Sequence, residues 1–439
     1  MAAETRAGAL QNSLLRYAAP ILLALGFLIR CVWLWRHGFD YAVGEAANVA
    51  ISIARDGTFA DTFARGSGLS AHFTPSMTLV AGGAYAVFGV RTGAAELVLA
   101  TLSIGLSLTS GYLWYRVVRE IGAPRSAALV ALALFCLLPM NFGLEVIAFR
   151  AWEGALAAAG AALCLLITLR LDRSVAPTWK GFTGLAIACA LTFFVNQAIG
   201  LAVYGAMGLL LLRRFAVRRW PAAIGIAALC LIAALTPWTV RNAVVFDRFI
   251  PLRSNLGLEL ALANSPAATT GEDEHANFLA RLRTIHPLES ESAFRTMERA
   301  GGEIPYADAL GKEAKAWIAE NPGQFAALCL HHLREFYFPP AWQWNIYTEG
   351  AQAVGLRQAL VWALSVLGLL GALLLPKIYG SRALYPAIFV LAPALPYLIV
   401  QPILRYRYLI FSPMLFCATI LLAWIVIRAL SRARPQPAG

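Results

Sequence analysis

The chain has 439 residues, 59% of them hydrophobic and only 14% charged, with a formal net charge of +12. An average soluble domain carries about 25% charged residues, so this balance excludes an ordinary soluble protein and points to a membrane. The positive charge does not require a nucleic acid, because much of it lies in short loops between apolar runs.

Runs long enough to cross a bilayer as helices occupy 18–36, 93–115, 124–142, 151–170, 181–197, 198–212, 220–238, 357–375, 383–401 and 408–428, which predicts ten spans. The first, "PILLALGFLIRCVWLW", is too long for the apolar region of a cleavable signal and lacks a small-residue cleavage site after it. "HFTPSMTLVAGGAYAVFG" (72–89) reads as a re-entrant or juxtamembrane segment that does not cross. With that choice, "RVVREIGAPR", "RLDRSVAPTWK", "RRFAVRRW", "PKIYGSR" and the tail "RALSRARPQPAG" fall on one side with the N-terminus. These segments hold nearly half of the 36 Lys and Arg but only Glu4, Glu120 and Asp172 among the 24 acids, as the positive-inside rule requires. A full crossing at 72–89 would flip every later loop and break the rule.

The sequence therefore predicts a multi-pass protein of the plasma (inner) membrane, with its chemistry on the extracytoplasmic, periplasmic side. Three parts follow: residues 1–238 as an N-terminal transmembrane module with a long first outer loop (37–92), an extracytoplasmic domain at 239–356, and C-terminal helices with a basic tail at 357–439. The end of that tail, "RARPQPAG", is expected to be disordered. All six histidines lie in the two outer segments, whereas six of the seven cysteines lie in spans, so no disulfide framework or CxxC motif is available.

In the first outer loop, Ala46, Val49, Ala50 and Ile53 recur at i, i+3, i+4 and i+7. This predicts a short helix lying in the membrane interface, with Glu45 at its border and Gly57 ending it. The second outer segment opens with "VVFDRFIPL", of β-like character, and turns helical from about 276 to 338.

Charges at the mouths of spans are costly to bury and are candidates for function. Glu45 and Glu153 are the acidic candidates, with Asp40 in reserve; Glu153 could equally be a helix-start carboxylate favoured by the helix dipole. Arg405 and Arg407 leave the ninth span on the side where arginines are not expected, and can grip a phosphate bidentately or simply snorkel to lipid. Arg241, with Asn242 beside it, and Arg150 are placed similarly. His72 shares the first loop with Glu45, and adjacent His331 and His332 point to different sides of a helix, which makes them a poor metal pair. No Gly-rich phosphate loop, HExxH or GxSxG motif occurs.

Four stretches carry a family resemblance: "GEAANVAISIARDGTF", "TPSMTLVAGGAYAVFG", "TPWTVRNAVVFDRFIPLRSNLGLELALANSP" and "LRYRYLIFSPML". With them the chain resembles the membrane glycosyltransferases of the GT-C fold, in particular bacterial relatives of protein mannosyltransferases and aminoarabinose transferase (glycosyltransferase family 39-like). The resemblance implies transfer of a sugar from a polyprenyl-phosphate donor to an extracytoplasmic lipid, glycan or protein, with inversion. Glu45 takes the place of the first-loop catalytic acid and Glu153 roughly that of the second acidic motif, while Arg405 and Arg407 fall where the donor would sit. It leaves open whether a divalent metal ion joins the two carboxylates. The competing readings are a transporter or flippase of a lipid-linked substrate, which predicts mid-span charges beyond Arg30, and a non-catalytic envelope scaffold.

Overall fold

A computed structural model describes residues 2–39, 44–268, 273–347 and 354–433. Asp40 and the end of the basic tail lie outside the described residues. The first half runs α1 (Ala2–His37), α2 (Glu45–Asp56), α3 (Met77–Phe88), α4 (Gly93–Glu120), α5 (Arg125–Leu137), α6 (Phe142–Val146), α7 (Gly154–Arg173), α8 (Trp179–Val195), α9 (Gln197–Arg214) and α10 (Trp220–Phe246). A layer of shorter helices, called the outer layer after the topology the sequence predicts, follows: α11 (Leu256–Ala263), α12 (Glu274–Ile285), α13 (Glu291–Arg299), α14 (Glu303–Glu320), α15 (Pro322–Tyr337) and α16 (Trp342–Tyr347). The chain then returns through α17 (Val354–Tyr379), α18 (Leu384–Leu391) and α19 (Tyr408–Ala433).

The protein is thus the helical, polytopic membrane type that the sequence predicts. Among the described residues six helices are long and apolar enough to cross, or seven if α5 and the segment Phe142–Arg150, bent by 69°, form one broken span. The other predicted spans are short or interrupted. Helix α8 has 17 residues and α9 has 18, and 383–401 is α18 followed by a 3₁₀ stretch, Ala392–Leu398. Prolines at 386, 393 and 396 explain that interruption, since each removes a backbone donor.

Helices α4, α7 and α19 form the buried centre, while α1 and α10 stand at the periphery with apolar side chains such as Leu28, Leu229 and Val244 outward. Close packing at the centre relies on small residues. On α17, a Cβ at Gly371 would come within 2.6 Å of the Cys417 carbonyl oxygen, so α17 and α19 touch backbone to backbone there.

Helix α2 forms where predicted and stops at Gly57, whose left-handed φ of 66° lets its N–H bond to the Ile53 carbonyl. Its apolar face is covered by protein rather than left for lipid. Ala47 and Ala50 pack against Ala81 and Tyr85 of α3, and Val49 packs against Phe59, Phe73 and Trp238. Helix α3 has 12 residues, about 18 Å at 1.5 Å per residue, too short to cross a core of roughly 30 Å. The stretch "VVFDRFIPL" forms no strand: α10 continues to Phe246 and Asp247 turns the chain with φ 52°. Among the described residues the only β pairing is an isolated bridge between Ala60 and Leu69.

Candidate functional site

The first outer loop is folded onto the outer layer, and that junction builds the site. After α2, the Asp61 carboxylate accepts the N–H groups of Gly66 and Gly68 and closes a tight turn. Phe63 from this turn enters the core formed by α11, α12 and α14. At the start of α14, Glu303 accepts the Ser70 hydroxyl at 2.6 Å and the Ala71 N–H at 3.1 Å, and also the Ser254 hydroxyl. A buried carboxylate with three donors is satisfied, and it fixes the backbone just before His72.

That anchoring presents His72 to Glu45. The imidazole Nε2 atoms of His72 and of His286, the residue that ends α12, both lie 3.3 Å from Glu45 Oε1. Phe63 stacks edge-on to both rings, with centroids at 5.2 and 5.7 Å. Burial alone would raise the pKa of Glu45, but His72 and His286 overcome it and hold the carboxyl well below its ordinary value. His72 shifts the other way. Burial would lower it, yet Glu45, then Glu303 and Glu259, raise it above the ordinary 6.5.

The signs make a stability prediction. The contribution of the His72–Glu45 attraction is present in full below pH 6.5 and is lost as pH rises through the raised folded-state pKa. Thermal unfolding of the purified protein should show this loss on the alkaline side, and His72→Gln should remove that part of the slope. An unchanged slope in the variant would assign it to another group.

Glu153 lies close by through the dipeptide Arg253–Ser254. Ser254 binds Glu303, while the Arg253 guanidinium pairs with the buried Glu153 carboxylate. Arg405 borders the same region: its guanidinium lies 5.5 Å from the Trp152 ring and 5.3 Å from that of Tyr406, and it is half-buried. Glu153 is thus linked to the Glu45–His72 pair through Arg253, Ser254 and Glu303, and Arg405 to Glu153 through Trp152.

The other predicted residues are engaged elsewhere. Arg407 is buried and donates to Ser365 Oγ at 2.7 Å and the Val361 carbonyl at 3.3 Å, both on α17. Arg150 is fully buried on Glu96 at 2.9 Å. Arg241 donates to the carbonyls of Ser70 (2.7 Å) and Phe59 (3.1 Å), and Asn242 donates to that of Ile250 (2.9 Å), so both hold the first loop and the entry to the outer layer in place. Sequence reasoning missed His286, Glu303 and Arg253. The first two lie more than two hundred residues from their partners in the first loop, and no local pattern marks any of the three.

Further along, α2 borders a cleft of about 230 Å³ lined by Asn48, Ser52, Arg55, Asp56, Asp61 and Arg65. Among the described residues one group has metal-ligand spacing, Glu274, His331 and Glu335. Glu45 and Glu153 do not form such a group. As expected from their adjacency, His331 and His332 diverge: His331 faces Glu274, whereas His332 Nδ1 lies 3.0 Å from the Leu398 carbonyl.

No family model matches the sequence, and no curated protein matches it. The fold, however, is similar to that of the archaeal oligosaccharyltransferase AglB from Archaeoglobus fulgidus in complex with an inhibitory peptide and a dolichol-phosphate. The TM-score is 0.51 at 15% identity, over 97% of this chain and 53% of that one. It is also similar to the apo crystal structure of the Archaeoglobus fulgidus oligosaccharyltransferase, with TM-score 0.53, 15% identity and coverage of 96% and 52%. This chain spans about half the length of those proteins. At such identity the likeness concerns the fold, which is the GT-C arrangement that the sequence resemblance implies.

Proposed function

We propose that this GT-C frame carries a membrane glycosyltransferase that moves a sugar from a polyprenyl-phosphate donor to a hydroxyl of an extracytoplasmic lipid, glycan or protein, inverting the anomeric carbon. The observation that carries the reading is Glu45, a carboxylate held ionised between two imidazoles where the first outer loop meets the outer layer. Glu45 takes the hydroxyl proton as the acceptor oxygen bonds to the anomeric carbon. The bond from that carbon to the phosphate oxygen breaks, and the phosphate leaves with the electron pair. Because the phosphate is already a good leaving group, the reaction needs a positioned base and cations more than an acid. The dolichol-phosphate bound to the similar archaeal protein supports a lipid-phosphate carrier for the donor, and its inhibitory peptide supports a protein as one acceptor class. The acceptor would approach along the cleft beside α2, while the polyprenyl tail stays in membrane lipid.

Mass spectrometry of lipid-linked sugars and envelope glycans from cells with and without the gene tests the reading. Loss of one envelope modification, with build-up of its lipid-linked donor, is expected. Unchanged profiles in both fractions would sink it.

The two C-terminal arginines should separate. Arg405→Ala should raise KM for the lipid donor, and Arg405→Lys should restore it only in part, because an ammonium offers a point charge without the guanidinium fork. Arg407→Ala should instead lower thermal stability, since it removes the buried contacts with Ser365 and Val361. Wild-type KM in Arg405→Ala would move the phosphate to another cation, with Arg253 the nearest to Glu153.

A further inference from the structure

We propose that Glu274, His331 and Glu335 form a binding site for one divalent transition-metal ion, such as Zn²⁺ or Mn²⁺, in the outer layer. Their ligand atoms all lie within 4.8 Å of one another. His331 Nε2 is 3.0 Å from Glu274 Oε2 and 3.7 Å from Glu335 Oε1. These separations bracket the edge of about 3.4 Å that bonds of about 2.1 Å produce around a tetrahedral ion. One imidazole with two carboxylates suits such an ion better than Ca²⁺ or Mg²⁺, which prefer oxygen alone.

The second observation is an unanswered buried atom. Glu335 is 3% exposed, and its Oε1 accepts no hydrogen bond from any described residue. Its other oxygen is fixed by the Gln401 amide at 2.6 Å, which leaves Oε1 facing His331. Glu274 Oε1, also buried, lacks a partner as well. A buried carboxylate left in this state costs free energy, and two such groups around one imidazole require a cation or a shared proton. A cavity of about 20 Å³, lined by Glu274, His331 and Gln401 among others, has room for one water, the fourth ligand of an open site.

The consequence is mechanical. An ion here would tie the first residue of α12 to α15 and, through Gln401, to the segment leading to Arg405. Helix α12 ends at His286, about 18 Å further on at 1.5 Å per residue. The ion would therefore hold the helix that delivers an imidazole to Glu45. It does not depend on what reaction Glu45 performs.

The test is titration of the full-length protein, purified in detergent and stripped with chelator, with Zn²⁺ and separately with Mn²⁺. Calorimetry and elemental analysis should give one ion per chain for at least one of the two metals, with a rise in melting temperature. His331→Ala and Glu335→Gln should each weaken that binding by at least the roughly 100-fold that loss of an outer-shell partner alone can cost. Glu335→Gln retains the shape of the side chain and so serves as the folded comparison. Absence of stoichiometric binding to the wild-type protein, or equal binding by Glu335→Gln, would overturn the proposal and leave a shared proton between the carboxylates.

Discussion

Glu45→Gln should lower turnover by about a hundredfold or more, the usual scale for loss of a general base, with donor binding nearly unchanged. Gln keeps the size of the side chain and its place at the start of α2, but it cannot take a proton. The structure sharpens this expectation. Arg150 is committed to Glu96, and it is His72 and His286 that keep the carboxylate charged. Their attraction makes Glu45 ionised over the whole neutral range at the expense of intrinsic basicity, so its contribution rests on fixed position as much as on pKa. Glu45→Asp should keep part of the rate, because the chemistry survives and only reach is lost. The measurement is single-turnover transfer by purified variants of normal expression and melting behaviour. Near-wild-type turnover in Glu45→Gln would move the base to Glu153 or Asp40.

Arg30→Leu should destabilise the protein by about 3–5 kcal/mol, the cost of removing one partner from a buried ion pair. Arg30 lies within the first span, and both it and Glu145 are 1% exposed, with the guanidinium Nε 2.6 Å from the carboxylate. The Arg30 side chain also donates to the carbonyls of Gly26 (3.0 Å) and Cys136 (2.9 Å), and Tyr408 donates its hydroxyl to Glu145 at 3.0 Å. Leu at position 30 would leave Glu145 charged or protonated in an apolar interior with only the tyrosine to answer it. The double variant Arg30→Leu, Glu145→Leu should recover much of the loss, since well-packed apolar residues can replace a buried pair. Equilibrium unfolding in detergent reads both. A loss below about 1 kcal/mol for the single variant, the scale of an exposed pair, would mean that water reaches Arg30. That result would favour the transporter reading, which needs an accessible mid-span charge.

The sequence by itself determined what local pattern can encode. Composition and run length established a helical membrane protein. The i, i+3, i+4 spacing after Glu45 established α2 and Gly57 its end. Glu45 and His72 were both visible as first-loop candidates because polar residues beside an apolar helix stand out in so apolar a chain. Run length could not show that prolines interrupt 383–401. Tertiary structure alone decided which charges meet. His286 reaches Glu45, Glu303 reaches Ser70 and Ala71, Arg253 reaches Glu153, and Glu145 reaches Arg30, each across about a hundred residues or more. The physical reason is that a buried charge must find its counter-charge or donor in space, and the helix packing that brings the two together is set by the whole chain. The pairing of these ions therefore leaves no trace in the spacing around any one of them.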